Sequence, residues 1–127
     1  MASRTSATAS MRDLQLPLFS IRISSPERAI LEYLHLAPDS IDLMECYQVM
    51  EGLSTLRPRL MQQRLEECRS IKVKRLFLYM AEKARHEWVK RLELSKLDLG
   101  KGPRSIVKGG VYSNKYALNL PKELVQL

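Results

Sequence analysis

Six cations carry the chemistry that this sequence offers most clearly. Arg57, Arg59, Arg69, Lys72, Lys74 and Arg75 stand close together in the chain, and Tyr79 and Trp88 follow them. Guanidinium and ammonium groups at that density suit contact with backbone phosphates of DNA or RNA, and the two rings offer stacking surface for bases. Such contacts position a nucleic acid without reading its sequence. No winged-helix or zinc-finger pattern runs through these residues. Over residues 57–91 there are eleven basic residues against four acidic ones, while the rest of the 127-residue chain holds ten of each. The whole formal net charge of +7 therefore arises in one stretch, and a field focused in that way draws an anionic partner, whether nucleic acid or protein. A solvated helix face that keeps a domain soluble has the same composition, so both readings stand at this point.

Other chemistry is thinly supplied. His35 and His86 have neither the HExxH spacing nor a cysteine placed for zinc, so no metal and no cofactor are expected. Residues 100–105, GKGPRS, look superficially like a phosphate loop but lack the Gly-Lys-Ser/Thr ending and open no helix; they read as a loop leading into a strand. No nucleophile elbow or paired-carboxylate pattern is present, and the chain is not expected to be an enzyme. The competing reading is a small enzyme or nucleotide binder whose site is assembled from residues distant in sequence. Cys46 and Cys68 lie in amphipathic helical segments and read as small hydrophobes, not as a disulfide pair. No apolar run is long enough to cross a bilayer and no secretory signal is present. A cytoplasmic chain with no membrane partner is the expectation.

The elements that must position these residues follow from periodicity. Residues 1–15 lack the apolar pattern of a core and are expected to be a disordered leader or linker. Residues 18–24, LFSIRIS, alternate and predict a short strand. Ser25 before Pro26 then suits a helix start, with Ala29, Ile30, Tyr33 and Leu34 at helical spacing. A second helix is expected from Asp39 or Ser40, with Leu43, Met44, Tyr47 and Met50 on one face, stopping at Gly52 in the left-handed conformation. A third starts with Thr55 as cap, carries Pro58 in its first turn and buries Leu60, Met61, Leu65 and Cys68. Arg57 and Arg64 fall inside its apolar arc; each must snorkel, meet a carboxylate or serve a ligand.

The fourth helix carries the opening cations. Val73, Leu76, Phe77, Met80 and Ala84 form one stripe, and Ile71, Leu78 and Tyr79 make the opposite side apolar as well, which places this helix centrally with neighbours on both faces. Its cations gather at its start, the unfavourable end of the helix dipole, so local helix stability does not explain them. Residues 104–108 and 115–120 predict a C-terminal hairpin, with Gly109-Gly110 and Ser113-Asn114 supplying turn chemistry. The fold class expected is α+β: four to five helices with a small antiparallel sheet made by the N-terminal strand and this hairpin.

Several segments, taken together and in order, resemble the C-terminal domain of the AbiEi family, antitoxins of bacterial type IV abortive-infection toxin–antitoxin systems. They are Pro26-Glu27-Arg28-Ala29, Leu56-Arg57-Pro58, Val73-Lys74-Arg75-Leu76-Phe77-Leu78, Gly109-Gly110 and Lys115-Tyr116. The likeness runs over roughly residues 16–121, within an antitoxin-like domain placed at 16–127. The resemblance implies a non-enzymatic protein of phage defence that counters a nucleotidyltransferase toxin without a stable complex. It also implies a basic surface that assists DNA contact. Members usually carry an N-terminal winged helix that represses their own promoter, and here only about fifteen residues precede the matching part. Sequence-specific operator binding is therefore not expected of this chain alone, which reads either as a domain fragment or as a short protein with the antitoxin half. The alternatives are a fragment of a DNA-binding autoregulator and a basic nucleic-acid-binding module without antitoxin activity.

Overall fold

The structure, a computed structural model, describes residues 25–127. The strand expected at 18–24 and the leader at 1–15 lie outside the described residues. From Ser25 onward the order is α1 (Pro26–His35), α2 (Leu43–Glu51), α3 (Pro58–Glu67), α4 (Ile71–Lys83), two 3-10 turns (Glu87–Arg91 and Leu94–Lys96), β1 (Arg104–Ser105), β2 (Val111–Ser113), β3 (Leu118–Leu120) and α5 (Lys122–Val125). The α+β class holds, with five α-helices among the described residues.

Helix starts follow local chemistry. The Ser25 hydroxyl accepts from the Arg28 N–H at 3.3 Å with Pro26 in the first turn, and the Ser70 hydroxyl accepts from the Val73 N–H at 3.1 Å. Each satisfies one of the donors a helix start leaves open. α2 begins later than periodicity suggests, at Leu43. Its end also differs: Gly52 is right-handed, with φ −79°, and its N–H closes a tight last turn onto Val49 O at 3.1 Å. α3 begins at Pro58, with Arg57 and not Thr55 as the residue before the helix.

α4 is the central helix. Residues 73–78, Met80 and Ala81 are all buried, and the helix packs against α1, α2 and the first 3-10 turn. Trp88, 4% exposed, closes the core beneath them. Its indole N–H donates to Leu53 O at 2.8 Å, and its ring stacks on His86 and tilts against Phe77. The His86 ring nitrogen Nε2 lies 2.6 Å from Met50 O, so it carries the proton and donates.

The sheet departs from the expected hairpin. β3 is the middle strand of the order β1-β3-β2. β2 pairs with it antiparallel, Tyr112 opposite Asn119, whereas β1 pairs with it parallel, Arg104 opposite Leu118. The sheet is thus mixed, and residues 104–108 are not the antiparallel partner of 115–120. The reversal lies at 114–117, where the Ala117 N–H donates to Asn114 O at 3.3 Å and Ala117 takes φ 54°, so β2 runs back along β3 and β1 takes the other edge. Gly110 permits this closeness: a Cβ there would lie 2.3 Å from Leu120 O, well inside van der Waals contact. Only β3 has a covered face, Leu118 and Leu120 being buried.

α1 and α3 are joined by Glu27, which is 1% exposed. Its Oε2 accepts the Arg57 main-chain N–H at 2.7 Å and Nε at 3.3 Å, and its Oε1 accepts Nη2 at 3.0 Å. Burial opposes its ionisation, but the bonds from Arg57 outweigh burial and hold the carboxyl below its ordinary value. A carboxyl lowered in the folded state stabilises above its unfolded-state pKa of about 4.3, and that contribution is lost as pH falls through the folded value.

Two outcomes follow. Glu27→Gln lowers unfolding free energy by about 2 kcal/mol at neutral pH, the scale of a hydrogen bond to a charged group, and flattens the loss of stability below about pH 4.3; urea titrations across pH check both. Gly110→Ala forces β2 off β3 and costs about 1–3 kcal/mol, with hydrogen exchange accelerating first at residues 111–113.

Candidate nucleic-acid interface

The structure sends the six sequence-picked cations to different places. Arg57 meets the Glu27 carboxylate while its side chain stays 64% exposed. Lys72 reaches the end of α1, where its ammonium donates to Ala37 O at 2.6 Å and His35 O at 3.4 Å. Carbonyls at a helix C-terminus carry the negative end of its dipole, so a cation there is favourable. Arg75 goes to the loops around the sheet: Nε donates to Leu99 O at 2.8 Å, and Nη1 to Gly102 O at 2.7 Å and Ala117 O at 3.5 Å. Lys74 and Arg75 are each only 4% exposed. Arg59 and Arg69 are exposed and make no hydrogen bond or ion pair among the described residues.

Lys72 and Arg75, at the start of α4, thus answer main-chain carbonyls in other elements. This accounts for their place at the wrong end of the helix dipole. Both arginines of the α3 apolar arc find carboxylates, Arg57 that of Glu27 and Arg64 that of Glu67. Trp88 offers no stacking surface, contrary to the sequence reading, because both its faces and its N–H are used in the core. His35 is exposed at the end of α1.

What the sequence reading missed is Arg91. Together with Arg59, Pro58, Gln62 and Glu93 it lines a concavity of about 430 Å³ between the start of α3 and the 3-10 turns. Arg91 is exposed and, like Arg59, forms no ion pair or hydrogen bond among the described residues. The floor is braced: Gln62 accepts the Glu93 N–H at 2.8 Å, donates to Glu93 O at 3.1 Å and donates to Glu66 Oε2 at 2.8 Å. The Glu93 carboxylate pairs outward with Lys96 at 3.2 Å. Two uncommitted guanidiniums over a fixed floor present forked donors of the geometry that suits phosphate. The signal for Arg91 was available only as the far end of the basic stretch, since 32 positions separate it from Arg59.

Other chemistry has little to build on among the described residues. No group of His, Cys, Asp and Glu is arranged to hold a metal ion. Both cysteines are free, and burial with the nearby Glu45 and Asp42 carboxylates pushes the Cys46 thiol up to about 12, so it stays protonated and poorly nucleophilic at neutral pH. Among the described residues no helix is long and apolar enough to cross a membrane.

Comparison with known proteins places these features. No curated protein and no solved structure matches the chain. A family model described as transcriptional regulator, AbiEi antitoxin, type IV toxin–antitoxin system matches residues 2–121. That span takes in every described element through β3, including the Glu27–Arg57 junction, the central basic helix and the mixed sheet. The chain therefore belongs to the AbiEi family of type IV antitoxins and transcriptional regulators.

Proposed function

We propose that this chain acts as the antitoxin of a type IV pair, countering a nucleotidyltransferase toxin without a stable complex with it and working at the nucleic acid through its basic surface. The family match over residues 2–121 carries this reading. Arg59, Arg69 and Arg91 are the contact cations, because their guanidiniums are exposed and uncommitted among the described residues. Arg57 is half available, its guanidinium shared with Glu27. Lys72, Lys74 and Arg75 act at one remove from this surface: their hydrogen bonds or burial keep them from contact with a nucleic acid lying across Arg59, Arg69 and Arg91, while their charges add to the field over it. Phosphate contact of this kind supplies affinity without sequence readout.

A second reading, also favoured by the family description, has the same surface assist a promoter-binding function. It predicts a preference for one DNA sequence over another, which phosphate contacts alone do not give.

The decisive measurement for the antitoxin role is growth after induction of a nucleotidyltransferase toxin encoded at the same locus. Co-expression of this chain restores growth; a folded chain that leaves growth arrested overturns the proposal. For the surface, affinity for duplex DNA falls steeply with salt, and Arg59→Ala or Arg91→Ala each reduces the slope of log K against log salt by about 1. Neither substitution changes stability by more than about 0.5 kcal/mol, as expected of exposed side chains. A salt-independent affinity leaves the surface as a solubilising face only.

A further inference from the structure

Arg75 lines a second concavity that shares no residue with the Arg59–Arg91 surface. Its three hydrogen-bond acceptors are neutral carbonyls, Leu99 O, Gly102 O and Ala117 O. No carboxylate of the described residues compensates its charge, and Nη2 is bonded to none of them. A guanidinium held at 4% exposure with only carbonyl dipoles around it leaves a positive potential in the space it faces.

That space, about 300 Å³, is walled by Arg75, Gly102, Pro103, Tyr112, Lys115 and Tyr116 among others. Gly100 and Gly102 sit at φ 71° and 76°, so the loop between them turns through left-handed backbone and presents its chain closely to the concavity. Lys115 and Tyr116 are held in place by one carboxylate: the Lys115 ammonium lies 2.9 and 3.0 Å from the two Glu82 oxygens, and the Tyr116 hydroxyl donates to Glu82 Oε2. Tyr112 is 53% exposed, a large ring left uncovered beside these cations. Lys101 and Arg104, on the same loop and the strand it enters, are exposed and uncommitted among the described residues.

Each component points to one class of ligand. An uncovered tyrosine ring offers a stacking face to a planar base. Buried Arg75 offers charge to a phosphate, Lys115, whose charge is paired with Glu82, offers a fixed donor, and Lys101 with Arg104 adds an electrostatic approach. The volume lies at the lower end for small-molecule sites, enough for one nucleotide and too small for two. We propose that this concavity binds a single nucleotide, its base on Tyr112 and its phosphate toward Arg75 Nη2 and Lys115, the nucleotide being either free or the unpaired residue of a strand.

The test is titration of the ¹⁵N-labelled full chain with thymidine monophosphate, guanosine monophosphate, inorganic phosphate and a short single-stranded oligothymidylate. Expected are amide shifts at Gly100, Lys101 and Gly102 and at residues 112–117, with phosphate alone binding at least about tenfold more weakly than a nucleotide. Tyr112→Ala weakens nucleotide binding about tenfold while Tyr112→Phe, which keeps the ring, does not; Arg59→Ala leaves it unchanged. Affinity for a mononucleotide equal to that for the oligomer identifies the free nucleotide as the ligand, and a much tighter oligomer identifies a strand. Absence of shifts at millimolar ligand, phosphate binding as tightly as nucleotide, Tyr112→Ala binding like the wild type, or shifts centred on Arg59 and Arg91 each overturn the site. The spectra themselves report whether each variant is folded, so a misfolded Tyr112→Ala is replaced by Tyr112→Leu, which keeps bulk without the ring and shows the same tenfold loss.

Discussion

The constraint on which the rest of this fold depends is that its most basic helix is also its most buried one. α4 has neighbours on both sides, and two of its cations, Lys74 and Arg75, lie almost wholly out of solvent. A charge in that position is tolerated only where oxygen dipoles surround it or water reaches it. Lys72 and Arg75 meet this demand by reaching out of their own helix, one to the last carbonyls of α1 and the other to the carbonyls of the loops at Leu99, Gly102 and Ala117. Each cation therefore fixes a segment that has little apolar surface of its own. The strands are two or three residues long and mostly exposed, too short to hold their place by pairing alone; Arg75 and the Glu82 bonds to Lys115 and Tyr116 tie the loops around them to α4.

The same arrangement separates charge from contact. A carbonyl stabilises a cation without neutralising it, so Lys72 and Arg75 keep their full charge while most of their donors are committed. Glu27 acts differently on Arg57, since the carboxylate removes the charge from the field as well as committing the donors. The basic stretch thus produces a positive field from inside the molecule and offers grip at exposed, uncommitted arginines and at the open Nη2 of Arg75. Field from buried charge is screened less by salt than field from exposed charge. Contact, in contrast, requires the outer residues, so the two contributions separate by salt dependence.

Helical periodicity made most of the helical half legible in the sequence. Ser25 caps where a hydroxyl before proline and a helix-forming run indicates, and the two-sided apolar pattern of α4 correctly placed it at the centre. The sheet was less legible because strands of two and three residues contain no measurable period, and because parallel pairing of β1 with β3 is set by the crowding at Gly110 and the carbonyls around Arg75, not by side-chain alternation. Cation partners were hidden for a similar reason. A main-chain carbonyl has no residue type, so the acceptors of Lys72 and Arg75 leave no trace in the sequence, whereas the carboxylate partner of Arg57 was at least among the outcomes its apolar placement required. Trp88 stood near the cations in sequence but its ring was claimed by His86 and Phe77. Tyr112, the exposed ring, lies far from them in the chain.

The distribution of apolar surface bears on how such a protein acts on a toxin. A lasting protein–protein complex buries about 1,600 Å² and is built around a desolvated apolar centre with aromatic anchors. Among the described residues the large exposed hydrophobics are Leu36, Val111, Tyr112 and Leu127. Leu36 follows the end of α1, Val111 and Tyr112 share the three-residue β2, and Leu127 is the last residue, so only one adjacent pair occurs and it sits beside cations. A surface of this kind has concavities lined by arginine and tyrosine where a stable interface would have a continuous apolar patch. Among the described residues it offers forked cations and an open ring, the groups that meet phosphates and bases.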